Sequence, residues 1–431
     1  MFCYNCGKEI PDDMIFCPFC GIQVAEDELE GDSDQQTLGS DVGNQKQNEI
    51  KPNKQPKKGN SKTAVIIVAI IAALVVAGVA GFLFLGKGVS NDNTGSPEQP
   101  ASSGDNILMM DKGITDENDD ANGKKAEPLM FGQFNRGDFK KIVFLDSISN
   151  APDNAWDVSQ NQDNKVKAWI DETEGRTLNI AAEGGVYANQ DCKALFACCD
   201  NLEEVNFNNA FHTENVTDMS YLFYKCTYLR TVDLSGIDTS SVTTMNRMFS
   251  KCGSLKDIDC TKINTDNVED MYGMFFNCEA LTSLDLSNWD TGNVKTMAYM
   301  FEKCRGLTSI NLDGIDTSSV DSFRDMFYNC TSLSELDVSS FKTDAAESMY
   351  AMFSNCKSLK NINVSHFDTY RVTDMRYMFK DCFNIVELDV SSFIVSPQTK
   401  TKSMFCNCGS GALSVEGYEG WNVNKDALFD Y

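Results

Sequence analysis

Cysteine is the residue type best placed to do chemistry in this chain. Cys3 and Cys6 are separated by two residues, as are Cys17 and Cys20, and Gly7 and Gly21 follow the two pairs. That spacing lets both sulfurs of a pair reach one ion from a tight turn, and glycine lets the backbone bend beneath it. Four thiolates fill a tetrahedral shell and leave no open position, so the chemistry read here is one structural zinc ion held by Cys3, Cys6, Cys17 and Cys20. A segment of some twenty residues buries too little to fold alone, so the metal would supply its folding energy. Disulfides are disfavoured in a reducing compartment, and a redox Cys-x-x-Cys needs a βαβ context that is missing around these pairs. Histidine occurs only at His212 and His366, and no Gly-x-Ser-x-Gly, His-Glu-x-x-His or phosphate loop is present. No catalytic residue is assigned, and the chain is read as a non-enzyme.

A second set of cysteines repeats. Cys226, Cys252, Cys278, Cys304, Cys330, Cys356, Cys382 and Cys408 recur every 26 residues, and Cys199 precedes them by 27. Met219, Met245, Met271, Met297, Met349 and Met375 keep the same register, with Phe323 substituting once. Nine equivalent thiols pointing one way fit a buried apolar column better than a disulfide ladder, since free cysteine packs as a small hydrophobe. Metal binding is weaker still, because no histidine or second cysteine repeats beside the row. Cys192, Cys198, Cys260 and Cys406 lie off it, leaving room for a terminal bridge from Cys192. Two polar rows accompany the thiols: Asp233, Asp259, Asp285, Asn311, Asp337, Asn363 and Asp389, and Thr239, Thr265, Thr291, Thr317, Thr343 and Thr369. Calcium or an acid/base pair needs such groups once. Their presence in every copy points to hydrogen-bonded ladders across turns.

These residues are positioned by a chain of 431 residues with 37 Lys and Arg against 63 Asp and Glu, a net charge of −26. So acidic a surface repels phosphate backbones, which argues against nucleic acid as a partner. Residues 63–86 form an uncharged apolar run of 24 residues. As a helix it rises roughly 36 Å, enough to cross a hydrocarbon layer of about 30 Å. The polar stretch before it excludes a signal peptide. Lys51, Lys54, Lys57, Lys58 and Lys62 flank its N-terminal side and only Lys87 the other, so the expected topology is one span with the N-terminus in the cytoplasm. Ala69, Ala73, Ala77 and Gly81 form a small-residue stripe that would admit a homodimer through the span, although lipid-facing small residues are the plainer reading. Residues 22–62 and 87–128 are polar and poor in apolar side chains, and are read as a linker and an extracellular stalk without structure. Residues 1–21 resemble the short bacterial zinc ribbons found at the N-termini of membrane proteins.

One repeat reads VKTMAYMFEKCRGLTSINLDGIDTSS. Val294, Met297, Met300, Phe301 and Cys304 fall on one face of a short helix, capped by Asn293 or Thr296. Leu307, Ile310 and Leu312 then alternate as a short strand, with Ile315 closing the turn. The fold class expected is an α/β solenoid of leucine-rich-repeat type, in which 26-residue coils pair a short helix with a short strand and each coil packs only on its neighbours. The strand column would rise about 4.8 Å per copy, or roughly 43 Å over nine. The domains expected are a zinc ribbon (1–21), linker (22–62), transmembrane helix (63–86), stalk (87–128), N-terminal cap (129–198), nine repeats (199–408) and a closing cap (409–431) in which Trp421 and Phe429 cover the last coil.

The unit V-x-x-M-x-x-M-F-x-x-C-x-x-L-x-x-L-D-L-S-x-F-D-T, clearest at 268–291 and 372–391, resembles that of BspA-type leucine-rich-repeat surface proteins of bacteria. KIVFLDSISN, NAWDVS, KAWID and AAEGGVYANQDCKALF resemble the flank that precedes such repeats, so the match runs from Lys141 to Tyr431. Phe341-Lys342-Thr343 and Phe393-Ile394-Val395 depart from the unit, and Thr401 replaces the repeated methionine. The resemblance implies a cell-surface protein for adhesion or macromolecular binding, with no enzymatic activity. A membrane-tethered display protein with an extracellular protein or polysaccharide ligand is the leading expectation. The second is a transmembrane sensor that signals to a cytoplasmic partner of the zinc ribbon. Tyr221, Tyr272, Tyr299, Tyr328, Tyr350 and Tyr377, on the expected helical side, are the candidate ligand contacts, with partial core packing as their competing role.

Overall fold

The chain divides into two compact units, Met1–Asn93 and Thr94–Tyr431. The computed structural model describes residues 106–109, 129–132, 134–173, 175–409 and 414–430, all in the second unit. The four zinc-ligand cysteines, both linkers up to residue 105 and the apolar run 63–86 lie outside the described residues, as does most of the stalk. Among the described residues no helix is long and apolar enough to cross a membrane.

The second unit contains a five-stranded sheet ahead of the coils: β1 (Lys141–Leu145), β2 (Trp156–Asp157), β3 (Lys167–Asp171), β4 (Thr177–Ala181) and β5 (Glu204–Asn206), in the order β2-β3-β4-β1-β5. Strict alternation in KIVFL buries Ile142 and Phe144 on one face of β1. β1 runs parallel to both β4 and β5, with Ile142 opposite Leu178 and Val205. Because β5 belongs to the first repeat, the cap sheet passes directly into the coil stack.

The repeats stack as a solenoid. Parallel bridges join Asp191 to Asp218, then Thr244, Asp270, Thr296, Ser322, Ser348, Asp374 and Lys400, one step of 27 followed by steps of 26. The short strands that flank them are well formed at Ser283–Asp285 and Ser309–Asn311, which pair in parallel. They are formed again at Glu387–Asp389 with Ser414–Glu416, and between these pairs shrink to single bridges such as Glu335 to Asn361.

The expected short helix is absent, and this corrects the α/β coil read from the sequence. The segment from Thr296 to Cys304 is a run of turns. Tyr299 (φ 62°) and Lys303 (φ 61°) adopt the left-handed conformation, and the same two positions do so in every coil from Ala194 and Cys198 to Ser403 and Asn407. A left-handed residue every fourth position forbids an α-helix of L-residues. Hydrogen bonding alternates accordingly. The N–H groups of Met300, Glu302 and Cys304 donate back three residues, to Met297, Tyr299 and Phe301. Those of Tyr299, Phe301 and Lys303 donate forward to Arg324, Met326 and Tyr328 of the next coil. Each coil is thus tied to its neighbour by a ladder that a helix would have consumed internally. Among the described residues the α-helical segment is α1 (Asp426–Phe429).

Both ends of the ladder are closed. At the first coil the carbonyls of Leu195 and Ala197 have no preceding coil to supply N–H groups, and the buried guanidinium of Arg136 donates to them at 2.9 and 2.8 Å. At the last coil the N–H groups of Ser403 and Phe405 donate to Ala427 and Leu428 in α1. Trp421 and Phe429 do cover the final coil, their rings 6.3 and 5.5 Å from that of Phe405.

Candidate functional site: the faces of the coil stack

The interior is one apolar pillar. Phe223, Phe249, Phe275, Phe301, Phe327, Phe353 and Phe379 stack with centroids 5.4–5.9 Å apart. Val294, Met297, Met300 and Cys304, expected on one inward face, are all buried. The thiol column is free and dry, as its apolar reading required. Cys252, Cys278, Cys304, Cys330 and Cys356 each donate Sγ–H to a phenylalanine carbonyl of the preceding coil at 3.1 Å. Burial pushes the thiols of Cys304 and Cys356 up to about 12, so they stay neutral. Cys192 is also a free buried thiol, so the terminal bridge considered for it does not form.

The threonine row is a ladder between coils. Thr291 Oγ1 donates to the carbonyl of Asp316 at 2.8 Å and accepts from the N–H of Asp316 at 2.9 Å. Thr317 and Thr369 do the same with Lys342 and Ile394. This explains why the copies at Lys342 and Ile394 tolerate the loss of aspartate: the ladder uses only their backbone. The aspartate row behaves differently from the ladder expected. Asp233, Asp285 and Asp389 accept from the N–H two residues on, at Ser235, Ser287 and Ser391. They are local turn formers, and among the described residues Asn311 links two copies by donating to Asp285 at 3.0 Å. Hydrogen bonds from Ser287 and Ser391 hold the Asp285 and Asp389 carboxyls below the usual range. Among the described residues no group of three His, Cys, Asp or Glu is arranged to hold a metal.

Outside this frame the two flanks differ in chemistry. The strand side carries carboxylates over open grooves. One, about 550 Å³, is lined by Val232, Asp233, Asp257, Ile258, Asp259 and Asp285. The other, about 520 Å³, is lined by Asp337, Asn361, Asn363, Glu387 and Asp389.

The turn side carries the six tyrosines named from sequence, and the structure brings all of them to it. Tyr350 is buried and the other five are half-buried. Tyr272 lies 5.0 Å from Tyr299, Tyr350 lies 5.5 Å from Tyr377, and Tyr221 packs on Tyr224, which sequence reading had passed over. Their faces carry cations: Lys193 over Tyr221, Arg247 over Tyr272 and Arg324 over Tyr350 at 5.7, 5.2 and 4.0 Å. Arg376 lies over Tyr350 as well, at 5.1 Å, and Lys380 over Tyr377 at 5.4 Å. Such pairing is worth about 0.5–2 kcal/mol each and fixes long side chains in place. Arg324 and Arg376 also pair with Asp325 and Asp374. Burial raises the Tyr328 hydroxyl above its ordinary value. Lys193, Arg247, Arg324 and Arg376 stand one coil away from the tyrosines they cover, so the 26-residue register reveals them, whereas Lys380 covers Tyr377 within its own coil.

Comparison with known proteins adds the following. No curated protein matches the chain. Solved structures similar in part include the following two. A leucine-rich repeat protein from Eubacterium ventriosum ATCC 27560 is 14% identical over 62% of this chain and 97% of its own, with a TM-score of 0.25. TLR13 in its complex with ssRNA13 is 13% identical over 52% of this chain and 38% of its own, with a TM-score of 0.21. At those TM-scores neither likeness carries an argument, and the solenoid rests on the ladder described above. Residues 2–24 match the zinc-ribbon domain family, which covers both Cys-x-x-Cys pairs. Residues 190–309 and 305–421, which span the coil stack, match the family described as "Mycoplasma protein of unknown function, DUF285", and the chain belongs to that family.

Proposed function

We propose that this chain is a membrane-anchored surface protein of a bacterium whose coil stack binds a protein or polysaccharide outside the cell. In this reading residues 63–86 span the membrane once, with the N-terminus in the cytoplasm. Cys3, Cys6, Cys17 and Cys20 hold one zinc ion as four thiolates, a donor set that suits a closed structural site, and the metal folds the ribbon rather than reacting. The observation that supports binding over catalysis is the partition of chemistry in the stack. The stacked thiols of the interior are neutral and locked to carbonyls, while the carboxylate rows and the tyrosines lie on two broad flanks, the carboxylates over open grooves. Broad repeated surfaces suit macromolecules, whereas small substrates need enclosure.

Protease treatment of intact cells carrying the chain with different tags at its two ends tests the topology. The C-terminal tag and coil stack should be removed while the N-terminal tag stays protected. Protection of both ends until lysis would overturn the reading. Deletion of residues 1–21 should leave binding by the stack intact; loss of binding would favour a sensor in which the ribbon takes part.

A further inference from the structure

We propose that residues 106–109 are a strap, which a pull on the N-terminal tether withdraws to open the edge of the first coil while the stack stays folded. This deepens the display reading and rests on it for the tether, since residues 87–105 would join the strap to the membrane span. Four consecutive apolar residues, Ile107 to Met110, interrupt the polar stretch 87–128. The stalk expected there is docked at this point: residues 106–109 run as an added strand between two edges.

On one side Ile107 bridges Tyr187 in parallel. Leu108 N–H donates to the Tyr187 carbonyl and Tyr187 N–H to the Asn106 carbonyl, both at 2.9 Å. On the other side Leu108 bridges Ser159, just beyond β2, in the antiparallel sense. Met109 N–H donates to the Val158 carbonyl and Gln160 N–H to the Ile107 carbonyl, both at 2.8 Å. Tyr187 lies in the strand Val186–Tyr187, whose other neighbour is Phe211–His212. The strap thus does at this corner what Arg136 does at another, meeting main-chain groups that no earlier coil is there to meet.

Two side chains lock it. Asn106 is buried, and its Nδ2 donates to the carbonyls of Glu183 and Gly185 at 2.6 and 3.3 Å. Leu108 is buried in the core, and with Met109 it lines a void of about 10 Å³ together with Cys192 and Leu195 of the first coil. The strap therefore covers the buried Cys192 thiol.

The order of release follows from where tension enters and what resists it. Tension arriving at residue 105 falls on Asn106 before it reaches the next described strand, Leu129–Met130. Among the described residues four main-chain hydrogen bonds hold the strap. A single coil donates as many to the coil after it, from Met297, Tyr299, Phe301 and Lys303, and accepts as many from Met271, Gly273, Phe275 and Asn277 of the coil before. It also buries Val294, Met297, Met300, Phe301 and Cys304, against one leucine in the strap. The segment with fewer bonds and less buried surface opens first.

The full-length chain in detergent is held by one ligation tag inserted after Ser96 and another after Tyr431, and is stretched in magnetic tweezers. The earliest step should be strap release. Ten Gly/Ser residues inserted after Ala121 should add roughly 35 Å of contour length to that step and none to the later ones. An earliest step that the insertion does not lengthen would overturn the proposal. Without force, Leu108→Asp should free the strap. Maleimide labelling mapped by peptide mass should then reach Cys192 about tenfold faster or more, while Cys304 in the stack stays unlabelled. Leu108→Ala, which keeps the main-chain bonds, should give a smaller rise. An unchanged rate at Cys192 would overturn the strap, and so would labelling of Cys192 and Cys304 together, which would show cap and stack opening as one unit. Both readouts are indifferent to the side of the membrane on which the stack lies, so the strap and the protease test of topology fail separately.

Discussion

The guanidinium of Arg136 donates to the carbonyl of Ala197 at 2.8 Å, the place that a backbone N–H takes in each later coil: Lys225 to Ser250, Lys251 to Phe276, Asn277 to Glu302. One side chain thus imitates an absent coil. Arg136→Met keeps length and volume but removes every donor, leaving the Leu195 and Ala197 carbonyls buried and unpaired. Urea denaturation should show a loss of about 3 kcal/mol. An unchanged midpoint would mean that water replaces the guanidinium there.

The threonine ladder makes a sharper chemical prediction. Thr291 is fully buried and both donates to and accepts from Asp316. Thr291→Val is close in shape and leaves two main-chain groups unpaired, so a cost of about 2–4 kcal/mol is expected. Thr291→Ser retains the hydroxyl and should cost about 1 kcal/mol for the lost methyl. Equal losses in thermal melts of the two variants would sink the ladder as an energetic element.

Left-handed positions should respond to backbone preference rather than to side-chain size. Asn277 sits at φ 58°. Asn277→Gly should be near neutral, whereas Asn277→Ala should lower stability by about 1 kcal/mol. A helical turn at this position would reverse that order, so the pair of variants distinguishes the two backbones directly.

Alkali should unfold the stack. Cys304 and Cys356 are raised by burial from 9.0 to about 12. A raised folded value means that the native state holds its proton where the unfolded chain releases it. Stability is therefore fully present below pH 9 and falls as pH climbs towards 12. The slope is about 1.4 kcal/mol per pH unit for each such thiol. Burial raises the Tyr272 and Tyr299 hydroxyls too, and they add to the same trend. Circular dichroism between pH 7 and 11 checks this, and Cys304→Ala with Cys356→Ala should make the fall shallower.

Excision of one full period, residues 292–317, should give a shorter chain that still folds, because each coil meets only its neighbours and both closing elements survive. Removal of half a period should abolish cooperative unfolding. Calorimetry of the two deletions separates a stack of equivalent coils from a single globular core.

Much of this architecture was legible beforehand, for physical reasons. Val294, Met297, Phe301 and Cys304 repeat because one coil cannot shield its own face, so the buried columns and the period could be read directly. The backbone that carries them could not. A left-handed residue at every fourth position returns side chains to one face much as a helical turn does, so Val294, Met297, Met300, Phe301 and Cys304 satisfy both spacings. The distinguishing signal lay in residues that tolerate positive φ, such as Gly273, Asn277, Asp325, Asn329 and Asn355, which share two columns. The role of Arg136 had no signature, since a single arginine carries no period. The tyrosines were found, but most of the basic residues that cover them, Lys193, Arg247, Arg324 and Arg376, stand a coil away and emerge once the coils are laid in register.

The thiol column has one more consequence. Each sulfur of Cys252 to Cys356 is engaged with a carbonyl, enclosed by phenylalanine and kept protonated at neutral pH. Oxidants and disulfide exchange attack thiolates that they can reach, so this column offers them nothing. A column so constructed is protected from oxidation and shuffling without being paired into disulfides.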